Sequence, residues 1–471
     1  MTKTKIVATI GPASDSPEMI KKLILSGVNV FRFNLKHNNQ QWHNNRIDRV
    51  EKVSQQINRP IAIMLDLQGP EIRIGDFEEN EIKVKKGEKV IFALQRNKGE
   101  KTIVLDNLKL LQSLALNTKI LIDDGYFQFK VIEKKKDKVI TKVIKGGIVG
   151  SRKGLNLPGL TVDLPTLLQS DLRYLDMASR QKVDFIALSF ARTSADIKLL
   201  RREMEKRKLN ADIIAKIENQ QALDNFDEIL KFSDGIMIAR GDLGVEIDLY
   251  KIPYLQKDMI NKARIAGKPI ITATQMLHSM INKSLPTRAE VSDVANAVYD
   301  NTDAVMLSGE TALGDYPLES VQIMKEIITF TEEKRGSSII KSDCDCLLDA
   351  LVLGAYNLFK ASQMLKKNPK MFLVLTETGQ TARFLSRFRP KKPIVAITDR
   401  REIRDKLFLS YGVIPFYLKY PKGKIHSLKT VFSFLMRRKV LKKGDFVVVV
   451  RGKSWGEPGK TNTISVEQIL D

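Results

Sequence analysis

Two stretches decide how this chain folds: Asp212-Ile213-Ile214-Ala215-Lys216-Ile217-Glu218-Asn219 and Gly235-Ile236-Met237-Ile238-Ala239-Arg240-Gly241-Asp242. Each is a short apolar run that stops on charged residues. Side chains alternate faces along a strand, so Lys216 and Glu218 point the same way. Glu218 and Asp242 then set two hard oxygen ligands at neighbouring strand ends, with the Lys216 cation beside them. Such a set suits a magnesium ion and a phosphoryl group held together. For either segment alone, a buried salt bridge between adjacent strands is the plainer account, and the rest of the chain has to decide.

Eight apolar β-type runs occur in two blocks: Lys5–Ile10, Val28–Phe33, Ile61–Leu65, Val183–Leu188, Asp212–Ile217, Gly235–Ala239, Pro269–Ala273 and Asp303–Leu307. Helical patterns such as Ser16–Leu25, Thr193–Lys206 and Pro253–Ala266 separate most of them. Strands alternating with helices predict a parallel sheet, and eight of them predict a (β/α)8 TIM barrel. Polar or charged residues tip every run: Gly11, Arg32 and Asn34, Asp66, Ser189, Lys216 and Glu218, Arg240 and Asp242, Thr274 and Gln275, Ser308 and Glu310. In a barrel these tips meet at one mouth, where barrel active sites sit. Eight coincidences of this kind are improbable, which favours the functional account of the opening segments.

Between Gly69 and Asp163 the pattern changes to period two, as in Glu81-Ile82-Lys83-Val84-Lys85 and Phe127-Gln128-Phe129-Lys130-Val131. Turn signals recur at Lys86-Gly87, Asn97-Lys98-Gly99 and Asp124-Gly125. This predicts a small all-β domain inserted after the third barrel strand, placed to act as a lid. From about Ser338 the α/β pattern returns, with strands expected at Met371–Leu375, Pro393–Thr398, Gly412–Phe416, Asp445–Val450 and Thr463–Val466. The expected organisation is a catalytic barrel at 1–69 and 163–338, a β lid at 70–162, and a C-terminal open α/β effector-type domain at 339–471.

Composition bounds the rest. At roughly 150 residues per domain, 471 residues fit three domains. No signal peptide or membrane span is expected, so the chain reads as cytoplasmic. Cys344 and Cys346 stand two apart and offer neither a disulfide framework nor a zinc site. Four histidines leave little scope for multi-His catalysis. The net charge of +23 raises nucleic-acid binding. However, residues 339–471 hold 26 Lys plus Arg against 11 Asp plus Glu, spread along the region without an aromatic-interleaved stripe. A Lys-rich solvated face is the expectation, and nucleic acid is not an expected partner.

The chain resembles the pyruvate kinase family over essentially its full length. The resemblance is carried by Lys5-Ile6-Val7-Ala8-Thr9-Ile10-Gly11-Pro12-Ala13-Ser14, Leu65-Asp66-Leu67-Gln68-Gly69-Pro70-Glu71-Ile72-Arg73, Lys216-Ile217-Glu218-Asn219 and Asp234 through Gly244. It continues in Ala273-Thr274-Gln275-Met276-Leu277, Pro286-Thr287-Arg288-Ala289-Glu290 and Met306-Leu307-Ser308-Gly309-Glu310-Thr311. The resemblance implies phosphoryl transfer from phosphoenolpyruvate to ADP, giving pyruvate and ATP in the last step of glycolysis, by a homotetramer. It implies cations at Arg32, Arg73 and Lys216 that neutralise the moving group. Lys216 is implied as the phosphoryl stabiliser, and Glu218 and Asp242 as ligands of Mg2+ or Mn2+. The Gly241 and Asp242 amides would face the substrate carboxylate. Thr274 would help deliver a proton to the enolate carbon through water; its plainer reading is an ordinary buried threonine. Lys153 resembles a nucleotide-phosphate contact at the lid hinge, and His37 an adenosine contact.

The departures are equally informative. Where the family reads Arg-x-Asn-x-Ser-His-Gly, this chain reads Arg32-Phe33-Asn34-Leu35-Lys36-His37-Asn38. Lys36 thus replaces a serine that helps bind potassium. Asp66-Leu67-Gln68-Gly69-Pro70-Glu71 departs from the Asp-Thr-Lys-Gly-Pro-Glu of potassium-dependent members. Leu67 and Gln68 resemble potassium-independent members, which carry Lys where this chain has Glu71. The expectation is that the Lys36 ammonium, beside Asn34, Asp66 and Leu67, takes the place of the monovalent cation, so that K+ is not required. Thr376-Glu377-Thr378-Gly379-Gln380-Thr381 resembles the family's sugar-phosphate effector loop, and Trp455 with the Gly456–Thr461 loop its cover. Glu377 would repel a phosphate there, so an effector site weakened or retuned is expected. Two other classes remain: a magnesium-dependent aldolase or mutase barrel, and a degenerate kinase-like protein with a binding role. The lid and Lys153 speak against the first, and intact Arg32, Arg73, Lys216, Glu218, Asp242 and Thr274 against the second.

Overall fold

The computed structural model describes residues 2–96, 99–160, 164–336, 346–363, 368–419, 428–452, 459 and 461–470. Eight parallel strands close into a barrel: Lys5–Thr9, Val30–Asn34, Ala62–Asp66, Phe185–Leu188, Asp212–Ile217, Gly235–Ala239, Ile270–Ala273 and Ala304–Leu307. The first strand pairs with the second and with the eighth, which completes the circle. Both faces of these strands are covered, which is why they read as continuous apolar runs rather than alternating ones. Val7, Val30, Met64, Phe185, Ile214, Met237, Ile271 and Met306 fill the interior, and Leu409 from the C-terminal region closes its floor. A larger apolar shell packs between the strands and the outer helices.

Local chemistry sets the helix ends. Ser16 caps Pro17–Ser26 by accepting from the Met19 amide, and Gly27, at φ 122°, ends it in a conformation that suits glycine. The Pro286–Glu290 motif is a capping box, with Thr287 and Glu290 reciprocally bonded at the start of Arg288–Tyr299. Glu290 also accepts from the Ser279 amide and hydroxyl at 2.7 and 2.5 Å, which pins the preceding loop.

After the third barrel strand the chain leaves for a curled β unit. A six-stranded sheet runs in the order Leu155–Asn156, Lys119–Ile122, Phe127–Lys134, Lys138–Lys145, Lys89–Ala93, Thr102–Val104, beside a two-stranded pair of Glu81–Val84 and Gly147–Gly150. Gly87, Gly99 and Gly125 all have φ between 75° and 86°, so the expected turns need glycine. The unit also contains one short helix, Leu108–Ser113, capped by Asn107. The all-β expectation passed over it because six residues are too few to show a helical period.

The C-terminal sheet has the order Val413–Tyr417, Ile394–Thr398, Met371–Leu375, Phe446–Gly452, Thr461–Gln468, parallel except for the last strand. Expected strand starts run one or two residues early in several places. Val28 is one such case: its amide still bonds Leu23 O of the preceding helix, and the strand begins at Val30. Among the described residues, no helix is long and apolar enough to cross a membrane.

Candidate active site

The strand ends converge on one buried ion network at the mouth of the barrel. Arg32 reaches Asp66 Oδ2 through Nε at 2.7 Å and Nη2 at 2.5 Å, and its Nη1 donates to Thr9 Oγ1 at 3.0 Å. The Lys216 ammonium lies 3.2 Å from Asp66 Oδ1, 2.9 Å from Glu218 Oε1 and 2.8 Å from Ser189 Oγ. Glu218 Oε2 accepts from the Phe190 amide at 2.6 Å. Arg32, Asp66, Lys216 and Glu218 are all buried. Arg32, Asp66 and Lys216 come from the second, third and fifth barrel strands, Glu218 follows the end of the fifth, and Ser189 and Phe190 follow the end of the fourth. The salt bridge expected as the plainer account is therefore present, and it sits where a substrate would meet it.

The electrostatics are asymmetric. Burial alone would raise the Asp66 carboxyl, but Lys216 and Arg32 overcome it and hold the group below the ordinary carboxylate range. Burial opposes the Lys216 charge, and Asp66 with Glu218 outweighs it, so the ammonium is held more firmly than usual. Glu218 behaves the other way. Burial pushes its carboxyl up and Asp242 pushes it further, against Lys216 and Lys36. Two carboxylates that repel each other, one of them desolvated, lack positive charge. A divalent cation bound by one or two carboxylates, with its other positions left to water and phosphate oxygens, would answer that lack. The donor set of Glu218 and Asp242 thus fits magnesium. Among the described residues no cluster of three or more His, Cys, Asp or Glu side chains exists to hold a metal without such help.

Across the mouth, the Gly241 amide donates to Thr274 Oγ1 at 2.8 Å, and the same hydroxyl donates to Ala273 O at 2.6 Å. Thr274 and Gln275 both take left-handed backbone angles, φ 66° and 55°, which are costly for residues with a Cβ and tend to cluster at functional sites. Arg240 locks this corner by pairing with Asp293 through both terminal nitrogens at 2.7 Å and donating to Thr274 O at 2.9 Å. A Cβ on Gly241 would lie 3.5 Å from Thr274 Oγ1, an ordinary contact, so the protein itself leaves room for one.

Lys36 departs from expectation. Its ammonium lies 3.5 Å from Glu71 Oε2 and 5.1 Å from the Phe190 ring centre, rather than against Asn34 and Asp66. Both Asp66 oxygens are already engaged by Arg32, Lys216 and Ser189, while Leu67 O accepts from Ser189 Oγ at 2.8 Å. Asn34 Oδ1 accepts the Lys36 amide at 3.3 Å. Arg73 shares Glu71 with Lys36 at 2.8 Å and donates to Arg152 O at 2.8 Å, so it sits at the root of the lid, half exposed. Lys153 pairs within the lid with Asp123 at 3.1 Å. His37 is exposed, and its carbonyl is bonded by buried His43 at 2.8 Å. In the C-terminal region, Thr376 Oγ1 accepts the Gly379 amide at 2.9 Å, Thr378 Oγ1 accepts that of Gln380 at 3.4 Å, and Thr381 bonds Thr461 at 2.9 Å. Trp455 lies outside the described residues.

Sequence reasoning passed over four participants. Ser189 was visible as a strand tip, but its three-way bonding was not. Thr9 lies inside a quoted motif without an assigned part. The Phe190 amide is backbone and carries no side-chain signal. Glu71 was read as a missing cation rather than as a partner for Lys36.

A (β/α)8 barrel with desolvated cations and paired carboxylates at its mouth, under an inserted lid, suits the class of phosphotransferases. The comparisons narrow the class. A family model described as pyruvate kinase, barrel domain, matches residues 1–321, and one described as pyruvate kinase, alpha/beta domain, matches 356–467. The chain is 40% identical over 476 aligned residues to pyruvate kinase of Staphylococcus aureus strain MRSA252, covering 100% of this chain and 81% of that one. The USA300 strain gives the same figures. A crystal structure of a pyruvate kinase from Cryptosporidium parvum superposes with a TM-score of 0.90 at 34% identity, covering 99% of this chain and 96% of that one. The chain belongs to the pyruvate kinase family.

The network generates a stability prediction. Asp66→Asn leaves Arg32 and Lys216 buried without their shared carboxylate, and urea unfolding at neutral pH is expected to show a loss of about 3–5 kcal/mol. The folded Asp66 carboxyl titrates below its unfolded value, roughly 3.9. Its contribution is therefore complete above about pH 4 and fades as the pH falls from there through the folded value, a fade the Asn variant lacks.

Proposed function

We propose that this chain moves the phosphoryl group of phosphoenolpyruvate to ADP. The observation that carries the proposal is the buried Arg32–Asp66–Lys216–Glu218 network, reinforced by full-length identity to pyruvate kinases. In the transfer, the bond from phosphorus to the enol oxygen breaks and one to a terminal ADP oxygen forms. The enolate left behind takes a proton on carbon and becomes pyruvate. Arg32 and Lys216 would neutralise the equatorial oxygens of the moving group, with Arg73 joining them from the lid root. Magnesium or manganese held by Glu218 and Asp242 would supply further charge neutralisation. The Gly241 amide would exchange the Thr274 hydroxyl for the substrate carboxylate. That exchange would release the hydroxyl to organise the water that protonates the enolate. A coupled assay on the purified chain should show ATP formation dependent on both substrates. Lys216→Met should lower kcat by about 10^2–10^3 with its fold intact. Wild-type turnover no higher than that variant's would sink the proposal.

The same reading extends to the monovalent site. Lys36 brings a fixed positive charge to the corner, close enough to weigh on Glu218, and Glu71 accepts it. We propose that this charge stands in for potassium. Wild-type activity should be level across potassium concentrations at constant ionic strength, and Lys36→Ser should become potassium-activated. Strong potassium activation of the wild type contradicts the idea.

The turn from Thr376 to Thr381 is proposed as an effector site of reduced affinity for phosphate. Its own threonine hydroxyls take up helix-start amides, and Glu377 adds negative charge. Fructose 1,6-bisphosphate at micromolar levels should leave the rate unchanged, and saturable activation there would refute a weakened site.

A further inference from the structure

Where the C-terminal unit seats on the foot of the barrel, basic side chains outnumber acidic ones. A cavity of about 10 Å3 is lined there by Arg264 and Lys268 of the barrel, by Arg383, Arg387 and Arg389 of the C-terminal unit, and by one carboxylate, Asp303. That carboxylate is already committed. Its oxygens accept from Arg389 Nη1 and Nη2 at 3.1 and 2.8 Å, from the Tyr411 amide at 3.0 Å and from the Ile270 amide at 3.2 Å. Arg383 and Arg387 find their acidic partners outside the lining, in Asp212 at 2.7 Å and Asp349 at 2.8 Å.

On the lining, Arg383 Nε, Arg387 Nε and Ser410 Oγ are buried and have no hydrogen-bond partner in the protein. All three are donors. Arg387 and Ser410 are only 4% and 2% exposed. The crowding of positive charge is felt within the lining, where burial, Arg389 and Arg335 bring the Arg264 guanidinium down to about 10. Desolvated like charges are costly unless a counter-charge joins them. The volume is on the scale of one water-sized sphere. That admits a monatomic ion.

We propose that this cavity is a halide site, holding one chloride-class anion between barrel and C-terminal unit through Arg383, Arg387 and Ser410. The anion takes up the donors that the Arg383–Asp212 and Arg387–Asp349 pairs leave unused and ties the two units together. Its occupancy governs the strength of that junction, independently of the reaction proposed at the barrel mouth.

A water molecule is the competing occupant, and the test separates the two. The purified chain is melted at constant ionic strength as gluconate is replaced by chloride or bromide. An ion that binds only the folded form raises the melting temperature and saturates. The expected rise is about 2–4 °C across the series. Crystals soaked in bromide should show an anomalous peak inside the cavity. Arg387→Gln should weaken the apparent halide affinity about tenfold. Ser410→Ala, which removes one donor and no charge, should weaken it roughly threefold and keeps the test sound if the arginine variant folds poorly. Equal melting in gluconate and chloride, or a cavity that holds only water in bromide-soaked crystals, overturns the proposal.

Discussion

Everything at the barrel mouth depends on Asp66 being shared between Arg32 and Lys216. Burying either cation is costly without a carboxylate at hydrogen-bond distance, and a carboxylate held by one cation alone would leave that cation less charge to offer a phosphoryl group. Sharing leaves each cation partly unsatisfied. Lys216 divides its charge between Asp66 and Glu218, and Arg32 spends one nitrogen on Thr9. The carboxylate must therefore sit at one height on the third strand, between the second and the fourth. Register delivers this: Asn34 lies opposite Asp66 on one side and Ala187 on the other. A slip of one residue would turn Asp66 to the other face of the sheet and strand two buried cations.

The fifth strand, Asp212–Ile217, carries this constraint through the molecule. Its upper end holds Lys216 in the network. Its lower end holds Asp212, which pairs with Arg383 at 2.7 Å and Lys406 at 2.8 Å from the C-terminal unit. Three buried apolar residues separate the two charged ends. One five-step strand thus spans from the domain junction to the candidate site, and Leu409 closes the barrel floor beside it. Bond for bond, the C-terminal unit grips the foot of the strand that bears the candidate phosphoryl stabiliser.

How much of this could be read in advance follows from what each interaction is made of. The eight strands were legible because burial on both faces leaves runs of Val, Ile, Leu and Met. The mouth was legible because most of these runs stop on charged or hydrogen-bonding residues, which is improbable by accident. Starts were misplaced by one or two residues where an apolar side chain such as Val28 packs before its backbone joins the sheet. The helix at Leu108–Ser113 is too short to announce itself. Partners were the least legible part. Ser189, Thr9 and the Phe190 amide have ordinary local surroundings, and only closure of the barrel brings them to Lys216, Arg32 and Glu218. The height of Lys36 was readable from its motif, but its direction was not, because that depended on Asp66 being already saturated.

That direction changes what Lys36 does. An ammonium against Asn34 and Asp66 would be a local filler for a missing ion. Against Glu71 it becomes the barrel's end of a chain that runs into the lid. Glu71 Oε2 is held by Lys36 from the barrel and by Arg73 from the lid root, and Arg73 in turn binds Arg152 O in the returning turn. Arg73 and Gly154 are themselves bridged. One carboxylate therefore ties both strands of the lid root to the barrel, while its Lys36 partner lies over the ring of Phe190, whose amide holds Glu218. The charge at position 36 consequently acts on two things at once: the field at the carboxylate suited to the divalent ion, and the anchorage of the lid. A serine in its place would release both, and a free ion in its place could restore the first without restoring the second.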